Sequence, residues 1–124
     1  MTLKYFKREE FDSPDKPGSG EMMDDDFLER LDIARDIYGY PMIVTSGFRT
    51  VEHHRDLTER GYKTSKNSSH LLGIAADIHC DDSRKRYLMI EAFLDAGFRR
   101  IGVGSTFIHV DSDEEKAQDV IWTY

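Results

Sequence analysis

Ser68-Ser69-His70-Leu71-Leu72-Gly73-Ile74-Ala75-Ala76-Asp77 sets hydroxyls, an imidazole, a turn-forming glycine and a carboxylate close together along the chain. From about Gly73 to Cys80 the pattern is that of a strand, on which Ala75, Asp77 and His79 share one face by the two-residue period. A carboxylate flanked by alanines on such a strand needs a partner, because an unpaired buried charge is costly. A metal ion supplies one, and so does a salt bridge. His70 and Asp77 offer an imidazole nitrogen and a carboxylate oxygen, the donors a hard-to-borderline divalent ion takes. A third donor is available at His109, in Thr106-Phe107-Ile108-His109-Val110-Asp111. Two nitrogens, one oxygen and an open fourth position describe a catalytic rather than a structural zinc site.

Downstream of the stretch, Asp81-Asp82-Ser83 caps a predicted helix running to about Ala96, with Tyr87, Ile90 and Leu94 inward and Phe93 widening the stripe. Gly97 stops it. Arg84, Lys85 and Arg86 fall in its first turn, where the helix dipole disfavours cations; a solvated face is the default reading. Two antiparallel strands follow, at about 100–104 and 107–111, turning at Gly102, Gly104 and Ser105. In the second, Phe107, His109 and Asp111 share one face, with Ile108 and Val110 on the other. Residues 113–118 read as an acidic loop, and Val120-Ile121-Trp122-Thr123-Tyr124 as a closing strand.

Upstream, residues 4–11 read as an anchoring arm or short helical turn that docks Tyr5, Phe6 and Phe11. Residues 12–20 form a loop rich in proline and glycine. A first helix is predicted over 23–38, with Phe27, Leu31, Ala34 and Tyr38 at helical spacing, widened by Leu28 and Ile37. Asp24, Asp25 and Asp26 suit its positive end and lack the ligand spacing of a calcium loop. Gly39 and Pro41 end it. Met42–Ser46 is predicted as a central strand. Ser46-Gly47-Phe48-Arg49-Thr50 then turns into a helix over 51–60 with Thr50 as N-cap. Arg49 therefore stands at a helix N-terminus, where free backbone donors favour an anion and a guanidinium makes a two-pronged contact. His53 and His54 are adjacent on that helix and point in different directions, away from any shared site. The loop 61–69 passes over the site.

The 124 residues suit a single domain spanning 1–124 with one modest core. Apolar content of 39% and charged content of 33% place the chain among soluble globular proteins. A net charge of −7 argues against nucleic-acid binding, which needs a basic footprint. Cys80 is the one cysteine, so no internal disulfide exists and a small buried side chain is expected. Met1 to Phe11 contains no apolar run, so no secretory signal is expected, and no segment is long enough for membrane insertion. The alternation of helices and strands, closing in three β segments, predicts an α+β fold: a mainly antiparallel sheet with packed helices.

Taken together, Ser68-x-His70-x-x-Gly73-x-Ala75-x-Asp77 resembles the SxHxxGxAxD motif of the M15 zinc peptidases. These are D-alanyl-D-alanine carboxypeptidases and dipeptidases, and L-alanyl-D-glutamate endopeptidases acting on peptidoglycan stem peptides. Ser46–Thr50 resembles their SGYRS segment. Phe107–Asp111 resembles the FVHVD segment of a short branch often found in bacteriophages. Phe6-x-x-x-Glu10-Phe11 and Trp122-x-Tyr124 fit that branch too.

The resemblance implies a hedgehog/DD-peptidase-like fold. It implies Zn2+ held by His70, Asp77 and His109, a metal that polarises the scissile carbonyl and activates water. Arg49 would bind a substrate carboxylate or the developing oxyanion, and Ser68 the substrate or a ligand's surroundings. Many M15 members carry a catalytic acid three residues before the last histidine ligand, where this chain has Thr106. Asp111 and His79 are the candidates for the general base, unless Asp111 instead orients His109. The expectation is a monomeric zinc peptidase of peptidoglycan stem peptides, made in the cytoplasm and delivered by a phage particle or by release to the wall. The alternative is a non-catalytic zinc module that binds wall peptides or a protein partner, as hedgehog domains show for this fold.

Overall fold

The computed structural model describes residues 2–124. Five strands, β1 (Val44–Ser46), β2 (Ala75–His79), β3 (Arg100–Val103), β4 (Phe107–Asp111) and β5 (Val120–Thr123), form one sheet in the order β1-β2-β4-β3-β5. Every neighbouring pair is antiparallel except β3 and β5. Among the described residues three α-helices accompany it: α1 (Asp25–Tyr38), α2 (Val51–Glu59) and α3 (Ser83–Asp95). The fold is α+β with a mostly antiparallel sheet, and its elements follow in the order the sequence pattern predicts.

The two-residue period divides the sheet chemically. One face carries Ala76, Ile78, Ile101, Ile108 and Val110, all fully buried, in one core with Phe27, Leu28 and Leu31 of α1 and Met89, Ala92 and Phe93 of α3. Burying each of the larger side chains contributes about 1.5–3 kcal/mol. That exceeds what surface ion pairs supply, so this face is what holds the helices on the sheet. The opposite face carries Asp77, His109 and Asp111.

Local signals set the helix ends. Asp24 caps α1 by accepting from the Phe27 N–H at 2.9 Å, and Asp82 caps α3 by accepting from Lys85 at 3.0 Å. Thr50 caps α2 through His53 N–H at 3.0 Å. At the N-terminus, Phe6 and Phe11 meet edge-to-face at 5.5 Å within the core, and the Phe11 carbonyl accepts from Phe48 N–H at 2.8 Å. The arm thereby props the loop that follows β1.

Three expectations are corrected. β1 is an edge strand rather than a central one. The apolar run that suggested burial leaves Ile43 63% exposed, and a register shift at Thr45 breaks the ladder, as edge strands commonly do. In α3, Tyr87 and Leu94 face solvent, while Met89, Ala92 and Phe93 face the core. Two stripes at helical spacing coexist in this helix, and the one with the small Ala92 is buried where α3 contacts α1, whose Ala34 is also fully buried. Ile37 of α1 likewise points outward. Cys80 is buried beside the core, as expected.

Candidate metal centre

Strand register assembles the site in one row across the sheet. Ser46 pairs with Asp77, Asp77 with His109, His109 with Gly102, and Gly102 with Trp122. The adjoining row on the same face pairs Ala75 with Asp111, Asp111 with Arg100 and Arg100 with Val120. Sequence alone places Asp77 and His109 on their strands; pairing places them side by side.

His70 arrives from outside the sheet, on the 3-10 turn Ser69–Leu72. Ser68 caps that turn, its hydroxyl accepting from His70 N–H at 3.3 Å. Gly73 ends the turn at φ 73°, a left-handed conformation in which a Cβ would also strike the Met22 carbonyl. This explains why the motif needs a glycine there. Backbone reinforces the placement, since Arg49 N–H donates to the His70 carbonyl at 3.2 Å.

The three side chains converge. His70 Nε2 lies 3.3 Å and His109 Nδ1 2.9 Å from the same oxygen, Asp77 Oδ1. One donor atom from each residue falls within 4.8 Å of the others. Donors on a tetrahedral zinc at bonds of about 2.0–2.1 Å stand roughly 3.3 Å apart, so the spacing fits. The far ring nitrogens fit as well. His70 Nδ1 faces the Gly47 carbonyl at 2.8 Å, and His109 Nε2 faces Asp111 Oδ2 at 2.7 Å. Each acceptor takes an N–H, which leaves the lone pair of the other nitrogen turned toward the centre. The donor set and its supports therefore suit a nitrogen- and oxygen-loving divalent ion.

Electrostatics distinguish the two imidazoles. Burial pushes the proton affinity of His70 down, and Asp77 offsets it only in part. Burial also pulls on His109, but its hydrogen bonds to Asp111 and Asp77 outweigh it and raise its pKa. Asp77 would be raised by burial, yet the two imidazoles hold its carboxyl well below the usual range. Asp111 shows the same balance, burial opposed by His109, the Asp113 N–H and Arg100, and ends lowered.

Asp111 stands behind His109 and is 1% exposed. Its Oδ1 accepts from Arg100 Nε at 2.7 Å and Asp113 N–H at 3.0 Å, and its Oδ2 from His109. Both oxygens are thus engaged, the geometry of an orienting group. Arg49 is mostly buried, with Nε donating to Ser46 Oγ at 3.2 Å and Nη2 3.8 Å from Asp77 Oδ2. Burial lowers its pKa against the pull of Asp77 and Tyr124.

These groups line a cavity of about 790 Å³ that also takes in Ser68, His79, Thr106, Trp122 and Tyr124, with Tyr62, Lys63 and Thr64 from the loop over the site. His53 and His54 do not line it, and His54 Nε2 bonds the Ser65 carbonyl instead at 2.8 Å. Arg100 escaped the sequence reading. An arginine beginning a strand carries no local sign that it will meet a buried acid eleven residues away in sequence.

Fold and site together define an α+β protein with a two-histidine, one-carboxylate candidate metal centre on the floor of an open cleft. A profile described as Peptidase M15 matches residues 4–111, and the chain belongs to that peptidase family. Among curated proteins, none matches the chain. Among the described residues, no helix is long and apolar enough to cross a membrane.

Proposed function

We propose that this M15 peptidase is a zinc enzyme that hydrolyses peptidoglycan stem peptides. The observation that carries the reading is the convergence of His70 Nε2, Asp77 Oδ1 and His109 Nδ1 at the base of a cleft, each imidazole backed by its own acceptor. Zinc bound there supplies Lewis-acid polarisation of a carbonyl and a water of lowered pKa. The rest falls to the protein. Arg49, on the cleft wall 3.8 Å from Asp77, offers its guanidinium to a substrate carboxylate or to charge developing on the carbonyl oxygen. Stem peptides carry free carboxylates, which matches that donor.

Ser68 holds the turn that carries His70, so its contribution is to aim that ligand. Asp111 orients His109 and does not exchange protons with substrate, because both its oxygens are occupied and solvent scarcely reaches it. Thr106 has no acid to offer. That leaves His79 as the cleft-lining imidazole outside the ligand set. It lies on the same face of β2 as Asp77, with Nε2 3.7 Å from Asp81 Oδ2. His79 takes up and returns the proton in this scheme.

One feature favours a second reading, a zinc module that binds wall peptides without cutting them. The carboxylates lining the cleft, Asp77 and Asp111, are both engaged. A single experiment separates the readings: zinc content, and hydrolysis of purified peptidoglycan followed by mass spectrometry, for wild type and His70→Ala. Zinc with a defined stem-peptide fragment made by wild type alone supports the peptidase. Zinc with intact peptides across several stem types supports the binding module. A wild-type protein that takes up no zinc sinks both.

A further inference from the structure

Histidine χ2 is a soft, roughly two-fold torsion, so a ligating imidazole stays in place only if its surroundings hold it. His109 is held on several sides. Nδ1 faces Asp77 and Nε2 faces Asp111, while its ring packs 5.2 Å from that of His70 and 5.6 Å from that of Trp122. Asp111 in turn depends on Arg100. A carboxylate 1% exposed is costly without a counter-charge, and Arg100 Nε supplies one at 2.7 Å. Arg100 is itself pinned, with Nη1 donating to the Ala117 carbonyl at 2.6 Å and its guanidinium 4.8 Å over the Trp122 ring. A lysine cannot make that forked and stacked arrangement.

Trp122 reaches both partners because of an absence. Gly102 pairs with His109 on one side and with Trp122 on the other. A Cβ on Gly102 would come within 2.8 Å of the Trp122 indole. The bare strand lets the indole lie across it toward His109. None of Ala117 to Trp122 falls within the residues matched to the family, which end at Asp111.

We propose that Arg100 and Trp122 are positioning residues that lock the His109–Asp111 pair in its ligating orientation, so that the segment from Ala117 to Trp122 sets how tightly the centre holds its metal. The inference rests on the zinc reading of the site, and metal affinity tests it without any need for hydrolysis.

The experiment is competition for zinc between the purified full chain and a chromogenic chelator, below the unfolding temperature of every variant. Arg100→Ala should bind zinc about 10–100-fold more weakly, the usual effect of removing an outer support of a ligand. Arg100→Lys should fall between it and wild type, and Trp122→Ala should lose more than Trp122→Phe. Ile121→Ala, changed at a 53% exposed neighbour on the same strand, should match wild type. Arg100→Ala combined with Asp111→Asn should cost less than the product of the single losses, because both act through one path. Trp122 is the chain's one tryptophan, so its emission should change as zinc fills the wild-type site. A purely structural role would lower Tm and leave affinity unmoved.

Wild-type affinity in both Arg100→Ala and Trp122→Ala overturns the proposal. If Arg100→Ala does not fold, wild-type affinity in both Arg100→Lys and Trp122→Ala does so. A wild-type chain that binds no zinc overturns the zinc reading and this inference together. Zinc bound without hydrolysis counts only against the peptidase reading.

Discussion

His70 and His109 face the same carboxylate oxygen, yet the protein holds them by different means. His70 rides on a capped 3-10 turn, and its far nitrogen meets a backbone carbonyl, that of Gly47. His109 rides on a strand between two rows of side chains, and its far nitrogen meets a buried carboxylate braced by an arginine. Burial lowers the proton affinity of the first imidazole, while two acids make the second hold its proton more tightly. In the metal-free chain Asp77 and Asp111 thus both favour a proton on His109. A divalent ion bound at the centre would compete with that proton for Nδ1. The difference teaches that the two candidate ligands are prepared unequally: burial disfavours a proton on His70, whereas two carboxylates favour one on His109.

The largest effect should come from the group common to both. Asp77→Ala removes the oxygen that each imidazole faces, and the purified variant should carry no stoichiometric zinc by elemental analysis; retained zinc would undo the comparison at its root. His79→Ala touches neither imidazole. It should cut peptide hydrolysis by about 10²-fold or more, as loss of a general acid–base group does, with zinc content intact. Full activity in that variant would remove His79 from the scheme.

Asp111→Asn weakens only the His109 side. Zinc affinity measured by chelator competition should drop about 10–100-fold, and an unchanged value would mean that His109 needs no more support than His70 receives.

The pH response sharpens the same contrast. The pKa of His109 is raised in the folded chain, so its ion pairs stabilise the metal-free protein below the unfolded-state value, and that stability is lost as pH rises through the folded value. Zinc affinity should move oppositely, growing with pH across that range because the proton must leave. Thermal unfolding across pH, with and without a chelator, should show the two opposed trends, and Asp111→Asn should shift both toward lower pH. Parallel trends would contradict proton exchange at His109. The smallest effect is expected from Gly102→Ala. Its added methyl must push the Trp122 indole aside, costing about 1–3 kcal/mol of stability with an altered tryptophan emission spectrum and a modest loss of zinc affinity.

Much of this was legible along the chain because it depends on short-range physics. The caps at Thr50 and Asp82, the turn ending at Gly73, and the alternation that puts His109 and Asp111 opposite Ile108 and Val110 act over a few residues. His70 and Asp77 stand within one short motif, while His109 joined them through the family resemblance. The inward face of α3 was not legible, because two stripes satisfy the same spacing and only the contact with α1 chooses between them. Nor was the edge position of β1, since an apolar run looks alike at either place in a sheet.

By itself, then, the sequence determined the element order, the turn that presents His70, and the strand phases that turn Asp77 and His109 toward one face. Tertiary structure alone decided that Asp77, His109, Gly102 and Trp122 fall in one row, that Asp111 meets Arg100, and that the two imidazoles shift in opposite directions in proton affinity. Periodicity and capping are local, whereas register joins residues far apart in sequence through ladders and packing that no single segment encodes.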